Sequence, residues 1–572
     1  MVSTNVQIMN KDLRWMFTFG DPTTLIQIFI SFMFSTPEQL GYDPNVTLDT
    51  TADHRYIFTI PMLPGDTLNA QSRRFRTVET ISEYRLNNIT GRMTRILLVK
   101  ELDTGKKDPP RFVLKDIWLD KEAQTERELQ SAIFYDIRGF WQGRSPESDS
   151  LSLKLFKDLH ATLVSTGEYK NYFLDIVADY RGMVSPDPPI DAVSTRGLLD
   201  ARYSVNPANL KVYPTPVPPP PRAYRDQQKL QYRVLFREFC TALGDLGTIG
   251  EVVDVLQQIL TPLQLLLCAG WVHRDISAGN ILAHGSDDHE SASGQWQAKL
   301  ADLEYATRFP PPAGYVPDAA DHQIGTPFFM AHEIMAHYQL CSVQDPSERI
   351  VTSPDNEDEF DMATITCEYF RPSPAKKHTA NPLAIHNFQH DLESIWWLLL
   401  WSITCRVRYL PSQIWGRYRF RTSGSGRLSK VRSDCFLYEM DESLYEALEP
   451  SVKVLARLMN DMRFKMRHAL EMRQRAGRVN AVPAYAVIHA RFYGWFEYIQ
   501  HRLPEIAWRD VPLGNGVMEL EQFEETCAAN PTVEYSSVPT IGSPRDSTSA
   551  PASDSGAPIY QERLEDLDMP AA

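Results

Sequence analysis

The chain has 572 residues, of which 43% are hydrophobic and 23% are charged, so it is long enough to bury a two-lobed core and to carry extensions. Its formal net charge of -15 at pH 7 gives no support to a nucleic acid or an anionic membrane as partner, because both favour basic proteins. Its 7 cysteines, with no Cys-x-x-Cys pair, argue against a disulfide framework and a structural zinc site. We therefore expect an intracellular protein, cytoplasmic or nuclear.

Residues 1–80 are predicted to form an N-terminal extension that packs on the rest of the chain. Residues 1–14 lack the basic region, apolar core and cleavage site of a secretion signal. Leu25–Phe34 is apolar, but it has about half the length that a helix needs to cross a bilayer. We therefore predict an accessory core helix here and no membrane span.

A strand that carries a lysine is followed by a helix that carries acidic residues. Arg111–Lys115 indicates a β-strand, and Lys121–Ile137 favours a helix. Glu126 has apolar residues behind it at helical spacing, so it is a better candidate than Glu128 for an ion pair with Lys115.

Residues 142–229 form a long predicted insertion. Within it, Pro214–Pro221 contains enough proline to favour an extended polyproline helix. Such a run is more often a semi-rigid spacer than a ligand for a proline-binding module, and both interpretations stay open. Residues 285–295 are predicted to be a solvated hairpin tip. Residues 531–572 hold few large apolar side chains, which predicts a disordered tail.

The middle of the chain predicts a strand, a connection and a buried helix. Tyr232–Cys240 indicates a strand that runs into a hinge, where Glu238 and Cys240 offer backbone groups to a ligand. Val252–Leu267 has the apolar density of a buried helix, and Pro262 predicts an interruption in it.

The most informative motif follows that helix. His273–Asp275, a His-Arg-Asp tripeptide, precedes Asn280, which lies five positions after the aspartate. This spacing is typical of the catalytic loop of protein kinases. An aspartate there accepts a hydrogen bond from an attacking hydroxyl, while the asparagine holds Mg²⁺ on the phosphates of ATP. Asp275 and Asn280 are therefore the candidate base and metal ligand, and His273 is predicted to be structural.

Three further segments occur in the order that this chemistry requires. Trp296–Ala301 indicates a short strand that ends at Asp302, the second candidate ligand for Mg²⁺. Gly325–Glu333 resembles the end of an activation segment, which forms a platform for a peptide substrate, with His332 in place of the usual proline. A helix is predicted to begin at His390. Its residues through Trp401 are apolar on every face, so the helix is predicted to be buried.

Together these residues resemble the fungal-type protein kinase family over about residues 40 to 405. The stretches that carry the resemblance are Leu40–Pro44, Gly91–Thr94, Val113–Asp116, Gly270–Leu282 and His390–Ser394.

The resemblance implies an α+β bilobal fold, with a small β-rich N-terminal lobe and a mainly helical C-terminal lobe. The expected boundaries are 81–240 for the first lobe, including the insertion, and 241–530 for the second. It also implies ATP-dependent phosphorylation of serine or threonine hydroxyls in a protein. Lys115 would bridge the α- and β-phosphates, and residues 238–240 would contact adenine.

Three positions depart from the general kinase pattern. The phosphate-covering loop would be residues 89–94, where Gly91 is one glycine in place of three, so fewer backbone amides can approach the phosphates. Ser277 stands where serine/threonine kinases commonly have a lysine, and Arg92 is a candidate substitute for the lost charge. Glu304 replaces the glycine two residues after Asp302, which is expected to restrict backbone rearrangement of that segment.

These departures keep two other functions open. A pseudokinase or scaffold would explain the poor glycine loop and Glu304, although Lys115, Asp275 and Asp302 are all present. A small-molecule phosphotransferase uses a related aspartate and asparagine, but it normally lacks the peptide platform that residues 325–333 indicate.

Overall fold

The computed structural model describes residues 22–38, 40, 42–49, 55–61, 72–83, 92–185, 228–285, 296–312, 315, 325–340, 382–420, 430–440, 442–503 and 506–514. These residues belong to one compact unit, Met1–Gly516, and the second unit, Val517–Ala572, lies outside the described ranges. The predicted features that also lie outside these ranges are Gly91, most of the hairpin tip 285–295, the proline run 214–221 and the tail 531–572.

A seven-stranded antiparallel sheet dominates the N-terminal part of the described chain. Its order is β1-β2-β3-β4-β5-β7-β6, so β5 lies between two long neighbours near the centre. The strands are β1 (Val46–Asp49), β2 (Arg55–Ile60), β3 (Arg73–Glu83), β4 (Arg95–Glu101), β5 (Arg111–Asp120), β6 (Ile176–Val184) and β7 (Lys229–Phe236).

Both faces of β5 are covered, because successive side chains of a strand point to opposite faces of the sheet. Leu114 packs on one face in a cluster that includes Phe75. Val113 packs on the other face in a cluster that includes Val234. Lys115 shares the face of Val113, so its ammonium group is directed to the side of the sheet where the next helix lies.

A buried ion-pair network lies on the face of the sheet opposite to Lys115. Arg233 is fully buried, and its Nε donates to Asp116 Oδ1 at 3.2 Å. Arg233 also pairs with Asp43, and Arg95 pairs with Asp116. A buried guanidinium must be paired, because its removal from water costs several kcal/mol. The network therefore fastens residue 43, which lies in the predicted N-terminal extension, to the centre of the sheet.

The first helix after β5 is α2 (Glu126–Trp141), and its N-terminus is fixed by a capping box. The Thr125 hydroxyl accepts from the amide of Glu128, and the Glu128 carboxylate accepts from the amide of Thr125. Glu128 is thus used in the cap and in an exposed pair with Arg181. Glu126 is buried one position into the helix.

The C-terminal part of the described chain is mainly helical, and its core forms around α5 and α7. Short 3-10 helices span Pro146–Asp149, Glu168–Tyr172, Leu243–Asp245, Leu303–Tyr305, Pro450–Val452, Val482–Tyr485 and Ala507–Asp510, and a π-helical turn, Ser402–Arg406, follows α7. The α-helices outside α2 are α1 (Pro22–Phe34), α3 (Leu151–Leu159), α4 (Ala161–Thr166), α5 (Ile249–Ala269), α6 (His332–Ala336), α7 (Phe388–Trp401), α8 (Leu410–Arg419), α9 (Lys430–Leu437), α10 (Glu442–Ala447), α11 (Lys453–Arg475) and α12 (Ala486–His501).

The prediction of a β-rich N-terminal region followed by a mainly helical C-terminal region is confirmed. The predicted interruption of the helix at Pro262 is wrong, because α5 is continuous through that residue. Pro262 removes one N–H donor, but most of α5 is buried in the core, and this packing holds the helix through the proline. Its length and hydropathy would allow α5 to span a membrane, yet 72% of its most apolar window is buried inside the protein.

The predicted insertion contains elements of the fold itself. Residues 146–172 form two α-helices and two 3-10 helices, and β6 pairs antiparallel with β7 at the edge of the sheet. The part of the insertion outside the described residues is therefore 186–227. Pro214–Pro221 lies in this part, and its interpretation stays a prediction.

The expectation for Leu25–Phe34 is half right. The segment is helical, as α1, but those of its apolar side chains that the structure describes are exposed rather than in the core: Phe29 is 58% exposed and Phe34 is 78% exposed. An apolar sequence that lacks a clear polar face indicates a helix but does not identify what covers it.

The buried network of Arg233 yields a stability prediction. Asp116→Ala removes one partner of the fully buried Arg233 and the partner of Arg95, whose side chain is 24% exposed. We expect the free energy of unfolding to fall by about 3 kcal/mol, because the buried charge of Arg233 then keeps only Asp43 as a partner and Arg95 loses its partner. Thermal unfolding should show a clear decrease in Tm, whereas Arg74→Gln, which breaks an exposed pair, should leave Tm almost unchanged. Similar Tm values for both variants would contradict this account of the network.

Candidate active site

Short strands bring the predicted catalytic segments together at one end of α5. β8 (Thr241–Ala242), β10 (Ile281–His284) and β11 (Gln297–Leu300) form one sheet, and β9 (Trp271–Val272) pairs with β12 (Thr307–Arg308). In the β10–β11 pair, Ile281 lies opposite Leu300. The amide of Ala301 donates to the carbonyl of Asn280 at 2.9 Å. Asn280 and Asp302 are therefore brought to the same end of this pair.

A carboxylate from α7 holds the backbone of the loop at residues 273–275. Asp391 Oδ2 accepts from the amide of His273 at 2.8 Å, and Asp391 Oδ1 accepts from the amide of Arg274 at 3.0 Å. Burial raises the pKa of Asp391 above its ordinary value, although its contacts with His273 and Arg274 oppose the shift. His273 is fully buried, with Nε2 3.0 Å from the carbonyl oxygen of Ala301, so this ring joins the loop to the segment that precedes Asp302.

Asp275 and Asn280 are linked to each other across the loop. Asn280 Nδ2 donates to the carbonyl of Asp275 at 2.9 Å. The Asp275 carboxylate accepts two hydrogen bonds from Thr326 at 2.9 Å, one from its amide and one from its hydroxyl. Burial, and after it the charge of Asp302, raises the pKa of Asp275.

Gly325 allows the segment 325–333 to approach the loop this closely. Its φ of +109° is a conformation that L side chains rarely adopt, and an added Cβ would lie 3.0 Å from the carbonyl oxygen of Arg274. Further along, Glu333 Oε2 lies 3.0 Å from His390 Nε2. His332, the replacement for proline, is buried and stacks on Phe436. The predicted platform is thus packed against the helical core at both of its ends.

Lys115 is at the centre of the site and is 6% exposed. Its ammonium group lies 3.0 Å from Glu126 Oε2 and 2.9 Å from Asp302 Oδ1, and it also contacts Glu304. Burial alone would lower the pKa of Lys115, but the three carboxylates raise it well above its ordinary value. Burial likewise opposes ionisation of Asp302, and the Lys115 charge nevertheless holds the pKa of Asp302 below its usual range. The partner on α2 is Glu126, the residue that the sequence favoured.

Glu304 takes part in the site in a way that the sequence did not predict. One oxygen of its carboxylate contacts Lys115, and the other contacts the guanidinium of Arg92. Burial raises the pKa of Glu304 to about 7, because desolvation and the nearby Asp302 outweigh the attraction of the two cations. The guanidinium of Arg92 also lies 4.6 Å from the centre of the Tyr305 ring. The available signals in the sequence were Glu304 in place of a glycine and Arg92 as a candidate substitute for a missing positive charge.

The predicted hinge connects β7 to β8. The side chain of Glu238 is not directed to a ligand: Glu238 Oε1 lies 2.7 Å from Lys299 Nζ, and Glu238 Oε2 accepts from the amide of Asp175 at 2.9 Å. Cys240 is partly buried, and burial raises the pKa of its thiol to about 12. The Glu238 side chain thus stabilises this connection, and the contact of the backbone at residues 238–240 with a ligand stays a prediction.

Comparison with known families identifies the chain. The model of a family described as fungal protein kinase matches residues 16–403, about two thirds of the 572 residues. The chain belongs to the fungal protein kinase family. No curated protein matches the chain significantly. Protein kinases use ATP as the phosphoryl donor and a protein as the acceptor.

The contact between Asp391 and the loop yields a prediction for this kinase. Asn at position 391 can offer an oxygen to only one of the amides of His273 and Arg274, and its own NH₂ group would face the other amide. We expect Asp391→Asn to speed amide hydrogen exchange in the peptide covering residues 271–276 by about tenfold or more, because an unpaired buried donor costs roughly 1–3 kcal/mol. Asp461→Asn on the surface of α11 is the control. Equal exchange in both variants would show that the carboxylate does not hold the loop.

Proposed function

We propose that the protein is an ATP- and Mg²⁺-dependent protein kinase that transfers the γ-phosphoryl group to serine or threonine hydroxyls of a protein substrate. The observation that carries the proposal is the convergence of Lys115, Glu126 and Asp302 within ion-pair distance. Asp275 and Asn280 lie on the loop that is hydrogen-bonded to the segment preceding Asp302. A nucleotide bound between the β-rich and helical regions would meet all these groups.

In this proposal Asp275 is the base. Its backbone carbonyl is held by Asn280, and its Oδ1 accepts two hydrogen bonds from Thr326, so the carboxylate has a fixed orientation. It would accept the proton of the substrate hydroxyl as that oxygen attacks the γ-phosphorus. Thr326 belongs to the segment proposed as the peptide platform, so in this proposal the substrate would bind next to the base.

Asn280 and Asp302 would hold the magnesium ion. Asn280 Nδ2 is used by the Asp275 carbonyl, so the amide oxygen is the atom that it offers to a cation. Glu126, Asp302 and Glu304 each offer a carboxylate oxygen, and these oxygens lie within 4.8 Å of one another. Amide and carboxylate oxygens are the donors that Mg²⁺ prefers, so the residues present fit this ion. When bound, the ion would neutralise charge on the phosphates.

Lys115 would bind the α- and β-phosphates, with Glu126 fixing its position. The backbone at residues 238–240 would contact adenine, since this segment connects the sheet to the helical region. Gly91 is proposed to lie over the phosphates, but it falls outside the described residues.

A pseudokinase is the second candidate, because Glu304 already occupies Lys115. A radiolabelled ATP assay of the purified protein on a peptide library, beside a panel of amino alcohols, tests the alternatives together. Transfer to peptides supports the proposal, and transfer to amino alcohols alone indicates a small-molecule phosphotransferase. Loss of all transfer with retained ATP binding indicates a pseudokinase.

The role of Asp275 can be tested by one substitution. Asp275→Asn removes the base and retains the size and hydrogen bonding of the side chain, so it should lower kcat by about 10²–10⁴-fold. The Kd for ATP should change little, because the base acts on the hydroxyl. Kd comes from calorimetry and kcat from the peptide assay. A loss of ATP affinity that matches the loss of kcat would contradict this role.

The metal can be tested through nucleotide affinity. We expect ATP to bind weakly to the wild type without Mg²⁺ and more tightly with it, because the ion would bridge the phosphates and Asp302. Asp302→Ala should remove most of this gain, and EDTA should have the same effect on the wild type. Asp103→Asn is the control, since Asp103 forms an exposed pair with Arg74 and contacts none of the proposed site residues through it. ATP affinity that is indifferent to both EDTA and Asp302→Ala would exclude the catalytic proposal.

A further inference from the structure

The carboxylate of Glu304 lies between two cationic side chains from different parts of the chain. One oxygen contacts the ammonium of Lys115 on β5, and the other contacts the guanidinium of Arg92 just before β4. The side chains of Glu304 and Lys115 are almost completely buried, at 3% and 7% exposure, and that of Arg92 is 33% exposed. Arg92 and Lys115 together can bind one anion, and the carboxylate of Glu304 occupies that position.

Arg92 is held in place independently of Glu304. Its carbonyl accepts from the amide of Trp118 on β5 at 2.9 Å, which fixes its backbone to the sheet. Its guanidinium lies over the ring of Tyr305 at 4.6 Å. Arginine is the residue that best combines stacking on an aromatic face with two-pronged binding of an oxyanion. Removal of the Glu304 carboxylate would thus leave Arg92 beside Lys115.

The site has a reason to use a second cation. Among the residues of the proposed nucleotide site, Ser277 occupies the position where a lysine is common, and the phosphate-covering loop carries a single glycine, Gly91. Both changes reduce the positive charge and the backbone N–H groups that could face the phosphates. Arg92 is adjacent to Gly91 in the chain and already contacts the carboxylate that Lys115 contacts.

We propose that Arg92 is a phosphate-binding residue of the nucleotide site, and that the Glu304 carboxylate occupies the phosphate-binding positions of Arg92 and Lys115 until nucleotide displaces it. This inference rests on the proposed function, because it requires a nucleotide at Lys115. A carboxylate presents two oxygens to a guanidinium and an ammonium in the same way as two oxygens of a phosphate do. Binding of a nucleotide then exchanges one anion for another, and Glu304 lowers the affinity for phosphates.

The decisive experiment measures three ligands against four proteins. Calorimetry with Mg²⁺ gives Kd for ATP, ADP and adenosine with the wild type, Arg92→Gln, Glu304→Gln and the double variant. Arg92→Gln should weaken ATP and ADP by about tenfold or more, the effect of losing one charged hydrogen-bonding partner, and leave adenosine within about twofold. Glu304→Gln should tighten ATP and ADP by about tenfold and leave adenosine unchanged, because it removes only the competing charge.

The double variant separates competition from a general change of the site. If Glu304 competes for Arg92, the gain from Glu304→Gln should shrink when Arg92 is already replaced, so the two effects should not add. Arg92→Lys should recover part of the lost ATP affinity, since it restores charge without the planar fork. Arg74→Gln and Asp103→Asn are the matched controls, because they alter an exposed arginine–carboxylate pair on neighbouring strands. Both should bind all three ligands as the wild type does.

Four results would overturn the inference, and the last of them also rejects the proposed function. Equal loss of ATP and adenosine affinity in Arg92→Gln would show a structural role, and so would weaker ATP binding in Glu304→Gln. If Arg92→Gln does not fold, as judged by its Tm, the Glu304→Gln measurement decides alone. If the wild type binds ATP and phosphorylates peptides, and Arg92→Gln and Glu304→Gln bind ATP with the same Kd as the wild type, only this inference is rejected. Failure of both the wild type and Glu304→Gln to bind ATP rejects the proposed function as well.

Discussion

The buried charge of Lys115 is the constraint on which the arrangement of the site depends. An ammonium group that is removed from water must be surrounded by anions, because its desolvation costs several kcal/mol in a protein interior. Its partners come from separate parts of the chain: Glu126 from α2, and Asp302 and Glu304 from the segment after β11. Pairing these groups fixes α2 against the sheet and draws a segment of the helical region to the same point. The charge therefore determines where the two regions meet.

The second fixed point is the carboxylate of Asp391, which acts on backbone rather than on side chains. It accepts hydrogen bonds from the amides of His273 and Arg274, and it lies on α7, in which every residue before Trp401 is buried. The loop that carries Asp275 is therefore attached to the helical core, whereas Lys115 is attached to the sheet. Any movement between sheet and helices changes the distance between the proposed base and the proposed phosphate-binding lysine. The hydrogen bond from Ala301 to Asn280 keeps the segment before Asp302 attached to this loop.

The parts of the site that could be predicted from the sequence are those that depend on short-range sequence patterns. The spacing of Asp275 and Asn280, the strand before Asp302 and the helical register of Glu126 are short-range patterns, and each corresponds to an observed element. Contacts between distant segments were not predictable in this way. The pair between Arg92 and Glu304 joins residues 212 positions apart. The exposure of α1 and the continuity of α5 through a proline likewise depend on what surrounds each helix, which no periodicity encodes.

The charge balance of the site explains why a glutamate at position 304 is compatible with a kinase. Two cations, Lys115 and Arg92, face three carboxylates, so the site without ligand already satisfies its cations and carries an excess of negative charge. A polyphosphate without a metal would meet net repulsion there, whereas a magnesium complex brings the positive charge that the carboxylates need. The same acidic excess that opposes bare nucleotide therefore favours the metal-bound form. Under the proposed function, a site of this composition would select its nucleotide as a metal complex, and its affinity would be set by competition between internal carboxylates and phosphates for the same two cations.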